Sequence, residues 1–196
     1  MAVAASPPSS SRRDAIVLAA GGVFLRYGFR KTSMDDLARA AGLSRQGLYL
    51  HFDTKEALFK AAVLSMASAA DAVAEAALGR EDLDPEERLV GAFVALHARI
   101  GGAEGSEHLG ELLETATVLV GPVVAELEAK FARQVAEVMV ATGMAAPWKK
   151  SGVSAKELAE HLCAASTGWK HLGATPAVYR ARMRVAVRIV ARGVQK

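Results

Sequence analysis

Between Thr32 and Phe59 the chain reads TSMDDLARAAGLSRQGLYLHFDTKEALF, three helix signals separated by two very tight turns. Ser33 followed by Asp36 is an N-cap with a carboxylate three residues on, which satisfies backbone donors of a first turn and predicts a helix opening at Met34. Gly42 ends that helix. Ser44 caps a second, short one, in which Leu48 and Phe52 lie four apart and face inward with Leu37 and Leu43, leaving Arg45, Gln46 and Tyr49 to point outward. Thr54 caps a third helix at once. Two short capped helices joined this tightly are the grammar of a helix-turn-helix that reads DNA.

The same residues resemble the TetR-type bacterial transcriptional regulators. Their pattern joins an alanine-glycine turn to a short recognition helix ending in Tyr, any residue, His or Tyr, then Phe, with a Ser/Thr-Lys-Glu start to the next helix. Here these are Ala41-Gly42, Tyr49-Leu50-His51-Phe52 and Thr54-Lys55-Glu56. The preceding helix is similar too, with Ile16, Ala19, Ala20, Phe24 and Tyr27-Gly28-Phe29 before Lys31-Thr32-Ser33. The motif covers the first third of the chain; beyond it the likeness is one of length and helical order. Two positions depart from the pattern. Gly47 stands where Thr, Ser or Ala is usual, which removes a base contact and costs about 1 kcal/mol of helix stability relative to alanine. Gly21-Gly22 interrupts the first helix, where a bend or a close backbone approach is expected.

A physical case for DNA contact can be made residue by residue. Lys55 sits at the positive end of a helix, a conflict that a DNA phosphate would remove. Thr32, Ser33 and Ser44 offer hydroxyls and helix-start amides to phosphate, and Tyr49 and His51 extend that surface. Arg45 suits guanine and Gln46 adenine in the major groove. Leu50 has two readings, contact with a thymine methyl or sideways packing on a neighbouring helix. Residues 1–60 carry nine Lys/Arg and five Asp/Glu, whereas the remainder carries fifteen and sixteen, so the basic excess lies with this motif.

The rest reads as helix throughout, giving an all-α chain of about nine helices. A first helix is expected over 12–27, capped by Ser11 with Asp14 and stopped at Gly28. A long one follows over 54–78, with Leu58, Ala62, Met66, Ala69, Val73 and Ala76 as its apolar stripe. Further helices are expected near 86–100, 106–119, 122–142, 154–171 and from Pro176 to near Gly193, with a loop over 143–152. The division expected is a disordered tail over 1–10, a helix-turn-helix domain over 11–69 and an effector-binding and dimerisation domain over 70–196. No apolar run reaches the roughly 18 residues that span a bilayer, and the Ser/Pro-rich start is no signal peptide, so a cytoplasmic protein with no membrane partner is expected.

The final helix carries two apolar faces. Tyr179, Met183, Ala186 and Val190 form one, while Val178, Ala181, Val185 and Ile189 form another, with Arg180, Arg184, Arg188 and Arg192 running between them. One face is expected on its own domain and the other on a second copy, as the resemblance implies for a homodimer. The resemblance also implies a small-molecule cavity in the second domain; Phe93, His97, Leu112, Phe131, Met139, Cys163 and Trp169 are the candidates, and a hydrophobic effector that releases operator DNA is the expectation. The alternative is a constitutive DNA binder whose second domain only dimerises. Neither a cofactor nor a metal site is expected: the histidines are scattered, Cys163 is the single cysteine, and Glu111 with Glu114 reads as a solvated helix surface rather than as a catalytic pair. An enzyme is not the expectation.

Overall fold

The computed structural model describes residues 9–101, 108–171 and 174–192, and every regular element among them is helical. In order these are α1 (Ser9–Tyr27), α2 (Met34–Ala40), α3 (Arg45–Tyr49), α4 (Lys55–Leu78), α5 (Pro85–Gly101), α6 (Leu109–Ala141), a 3-10 helix (Ala146–Ser151), α7 (Ala155–His171) and α8 (Pro176–Arg192). The all-α class and the count of about nine helices agree with the sequence. Residues 1–8 of the expected tail, Ser106 of an expected helix start and Gly193 lie outside the described residues, while Ser9 and Ser10 already belong to α1.

Two compact units emerge. The first runs to Met66 and takes in the described part of Glu107–Gly121; the second comprises the described parts of Ala67–Ser106 and Pro122–Lys196. A division at residue 70 does not anticipate the return of the early part of α6 to the first unit. In that unit α1 buries Ile16, Ala20 and Phe24 at steps of four, against Leu37 and Ala38 of α2 and Leu58, Phe59 and Ala62 of α4. Phe24, Phe29 and Phe59 pack ring on ring at centroid separations of 5.9, 5.0 and 4.9 Å, pairs worth about 0.5–1.5 kcal/mol each beyond area burial.

Several local signals hold and several do not. Gly28, Gly42, Gly143 and Gly152 take the left-handed conformation that ends helical segments. Ser33 with Asp36 forms a complete capping box, and Ser154 with Glu157 forms the same pair, the Ser154 amide and hydroxyl both donating to Glu157 at 2.8 and 2.7 Å. Ser11 is no cap, because the helix already includes Ser9. Gly21-Gly22 neither breaks α1 nor brings a backbone close: a Cβ at Gly21 would meet only Met66 Sδ at 3.8 Å, and one at Gly22 nothing within 4 Å. The expected loop over 143–152 contains the 3-10 helix, and the two helices expected on either side of residue 120 form one run with a kink at Val120 (φ −141°, ψ 25°), two residues before Pro122.

The buried row of α4 runs Leu58, Ala62, Ala70, Ala74, Leu78 rather than through Ala69, Val73 and Ala76. A constant step of four turns 400° per step, so the row drifts around the helix instead of tracking one line. This helix also corrects the expectation on apolar length: over Lys55–Leu78 it is long and apolar enough to cross a membrane by composition, with mean hydropathy 1.5. Alanine supplies much of that value, and the helix still places Leu58, Phe59 and Ala62 in a protein core and Asp71 and Glu75 on Lys130, at 2.6 and 2.8 Å.

In the second unit α8 packs most extensively on α5 and then on α7. The core draws Leu89, Val90 and Phe93 from α5, Val135 and Met139 from α6, Leu158 and Leu162 from α7, and Tyr179, Met183 and Val187 from α8. Tyr179 Oη there lies 2.6 Å from Ser166 Oγ and donates to the Phe93 carbonyl at 3.3 Å, and the half-buried Trp148 indole donates to the Val190 carbonyl at 2.6 Å.

Candidate nucleic-acid interface

Helix α3 is too short to be stable alone, so its position is set by its cap and its two anchors. Ser44 Oγ accepts the Gly47 amide at 3.0 Å, and Leu48 and Phe52 are buried. That arrangement turns Arg45, Gln46, Tyr49 and Leu50 outward together. Leu50 is 84% exposed, so it does not pack sideways. Arg45 Nη1 pairs with Asp35 Oδ2 at 3.2 Å, and its guanidinium carbon stands 5.7 Å from the Tyr49 ring centre. Tyr49 first, then Asp35, hold the guanidinium even more firmly in its charged form. An exposed pair of this kind contributes roughly 0–1 kcal/mol, little enough for a base edge to compete. A Cβ at Gly47 would stand 3.2 Å from Ser44 Oγ, the capping oxygen, so the residue lacking a side chain leaves the cap undisturbed.

The groups assigned to phosphate are differently disposed. Thr32 is buried and its hydroxyl donates to the Gly28 carbonyl at 2.6 Å. Ser33 is committed to its capping box, which also lowers the Asp36 pKa through the Ser33 hydroxyl and then the Ser33 amide. Lys55 Nζ donates to the carbonyls of Phe29 and Thr32, both at 3.0 Å, and lies 4.3 Å above the Phe29 ring. Its conflict with the α4 dipole is thus offset by carbonyls of the α1–α2 turn rather than left for phosphate. Ser44 uses its oxygen as an acceptor and keeps a hydroxyl proton to offer; His51 is half-buried.

Two residues outside the sequence assignment shape the same surface. Arg13 of α1 donates from Nη1 to the His51 carbonyl at 2.7 Å and lies 4.0 Å over the Phe52 ring, so it clamps the end of the α3 segment. Glu111, read as a solvated surface carboxylate, instead accepts the Arg30 amide at 2.7 Å. No periodicity marks either contact, since the partners stand 38 and 81 residues apart.

Residues 16–62 match the family model described as bacterial regulatory proteins, tetR family. The likeness to that family is carried by this segment. The HTH-type transcriptional regulator TtgR of Pseudomonas putida is 33% identical over 73 residues, 37% of this chain and 35% of that protein. The HTH-type transcriptional activator FasR of Mycolicibacterium smegmatis is 39% identical over 54 residues, 28% and 25% of the two chains. The chain therefore spans about a third or less of the length of these relatives. A Mesorhizobium loti protein assigned to the TetR family superposes with TM-score 0.71 at 21% identity, covering 96% of this chain and 100% of that one, a likeness of fold.

Of the residues assigned to an effector cavity, Phe93 and Met139 are buried in the core of the second unit, and Phe131, Cys163 and Trp169 are packed against it. Phe93 and Phe131 meet edge to face at 5.1 Å, and His97 stacks on Tyr179 at 3.9 Å. Leu112 belongs to the first unit. An open pocket of about 310 Å³ in the second unit is lined by Glu75, Arg88, Gln134 and Glu137 among others, and by none of the assigned residues. On α8, Tyr179, Met183 and Val190 are buried, whereas Val178, Val185 and Ile189 are 42%, 57% and 62% exposed and Ala181 is exposed. Between the faces, Arg184 holds Glu87 through two bonds of 2.9 and 3.0 Å and lowers its pKa, and Arg188 reaches Glu86 at 3.7 Å.

Proposed function

We propose that the protein is a cytoplasmic, dimeric, sequence-specific DNA-binding transcriptional regulator. The observation that carries this reading is the outward face of α3: Arg45, Gln46, Tyr49 and Leu50 project together from a segment locked by Leu48, Phe52 and the Arg13 clamp. A rigid row with one guanidinium, one amide and one aliphatic tip suits the edges of guanine, adenine and thymine in a major groove. Homodimerisation is supported by the unpartnered face of α8, because one short α3 reads few base pairs and two copies reading half-sites about one helical turn apart gain affinity together.

Release from DNA by a small hydrophobic molecule is the regulatory reading we favour, with Phe93, Phe131, Met139, Cys163 and Trp169 as the candidate environment. Repression is the simpler sign for such a switch, although the relative FasR bears the name of an activator. Selection of duplexes from a random pool tests the core of the proposal: a palindromic consensus is expected, bound by a dimer. Affinity should fall steeply between about 50 and 200 mM salt. Recovery of no consensus, or an affinity indifferent to salt, would overturn it. A thermal-shift screen that finds ligands, none of which alters DNA affinity, would favour the constitutive binder instead.

A further inference from the structure

The five residues from Gly28 to Thr32, joining α1 to α2, are held by two helices with opposite charges. From α4, the Lys55 ammonium donates to the carbonyls of Phe29 and Thr32. From α6, the Glu111 carboxylate accepts the amide of Arg30 at 2.7 Å. Thr32 closes the turn upon itself by donating to Gly28 O. Gly28 serves this geometry twice: its φ of +77° favours glycine, and a Cβ there would lie 2.7 Å from Glu111 Oε2 and 3.3 Å from the carboxyl carbon. The absent side chain is what lets the carboxylate close on the turn. Immediately beyond Thr32, Ser33 caps α2, the helix whose Asp35 orients Arg45.

We propose that Glu111 is a positioning residue for DNA reading: it fixes the α1–α2 turn from α6 and thereby sets where α2 begins and how α3 is presented. The proposal rests on the DNA-reading function above. Glu111 touches no base-reading side chain; it acts through the backbone of Arg30 and the cap at Ser33. α6 is a suitable carrier because its non-helical residue, Val120, lies nine residues beyond Glu111, so the arm bearing the carboxylate ends at a defined joint.

The test compares Glu111→Ala, which removes the acceptor, with Glu111→Gln, which keeps an oxygen acceptor and removes the charge. Both are made in the full chain and titrated against the duplex selected by the wild type and against a scrambled duplex. For Glu111→Ala, affinity for the selected duplex should fall about tenfold, the scale of one lost charge-assisted bond to backbone. Affinity for the scrambled duplex and the salt dependence should stay unchanged, because no phosphate contact is lost. Glu111→Gln should restore most of the difference. A merely structural role predicts equal losses on both duplexes, and that result, or an alanine variant that reads as well as the wild type, overturns the proposal. Hydrogen exchange in the wild type needs no variant to fold: the Arg30 amide should be protected in the DNA complex, and free exchange there also overturns it. A wild type that selects no duplex at all defeats the DNA-reading function itself, an outcome distinct from failure of Glu111 alone.

Discussion

Replacing Lys55 separates two roles that the sequence cannot tell apart. Lys55→Met keeps the aliphatic stem over Phe29 but removes the ammonium, and with it two bonds of 3.0 Å and the cation held 4.3 Å from the ring. A hydrogen bond to a charged group contributes about 1.5–3 kcal/mol and an exposed cation–π contact about 0.5–1 kcal/mol. Lys55 is only half-buried, so water replaces part of what is lost; taking that part as one of the two bonds, and the low end for the other bond and for the ring contact, leaves about 2 kcal/mol in all. For a chain of this size that lowers Tm by about 4–8 °C. Urea unfolding and a DNA titration at several salt concentrations should be run on the same preparation. The expected outcome is lower stability with an unchanged slope of log affinity against log salt. Unchanged stability with a slope shallower by about 0.9 would mean that Lys55 neutralises a phosphate, and the argument from its carbonyl partners would be wrong.

Arg45→Ala should cost about 1–3 kcal/mol on the preferred duplex and relax selection at one base position, whereas an unchanged consensus of equal stringency would remove Arg45 from the reading set. Burial pushes the Tyr179 phenol from 10 up to about 12; a folded pKa above the unfolded one gives stability that is complete below pH 10 and lost as pH rises to 12, on the order of 3 kcal/mol. Tyr179→Phe, although it gives up the bonds to Ser166 and Phe93, should flatten that alkaline decline, and parallel curves for the two proteins would refute the assignment. Ile189→Arg, placed on the exposed face of α8, should split the dimer and weaken operator binding with α3 untouched, and sedimentation showing an unaltered dimer would move the interface elsewhere.

What the sequence made legible was local. Ser33 with Asp36, Ser154 with Glu157, and Pro176 at the start of α8 each act within one turn, so three or four neighbouring letters suffice to place them. The two-faced pattern of α8 was legible for the same reason, because periodicity along one helix reports how many sides are dry. The candidate site was legible in its outline and not in its partners. Ser44, Arg45, Gln46 and Leu50 face outward because Leu48 and Phe52 must face inward. Thr32 and Lys55, judged as surface groups, turned inward because backbone carbonyls of the α1–α2 turn need donors, a demand that no side-chain pattern displays. The contacts of Arg13 and Glu111 were not legible since their partners are backbone atoms, at His51 and Arg30, and any residue type would supply those.

These internal commitments bear on how DNA is gripped. Arg13 and Lys55 are spent on carbonyls and aromatic rings, which satisfy their hydrogen bonds without cancelling their charge. Residues 1–60 therefore keep the excess of nine basic over five acidic side chains while two of the nine serve as struts. A field of that kind acts over a Debye length of about 8 Å, so both cations would still attract a phosphate that they do not touch. On the proposed function, direct contacts would fall to exposed side chains such as Arg12, Arg30, Lys31 and Lys60 and to the hydroxyl of Ser44, which cost more entropy to order than pre-fixed groups. Affinity per reader would then be modest, and discrimination would concentrate on the few rigidly presented residues of α3. A reader built this way gains most from being used twice, which ties the exposed face of α8 to the outward face of α3 in one requirement.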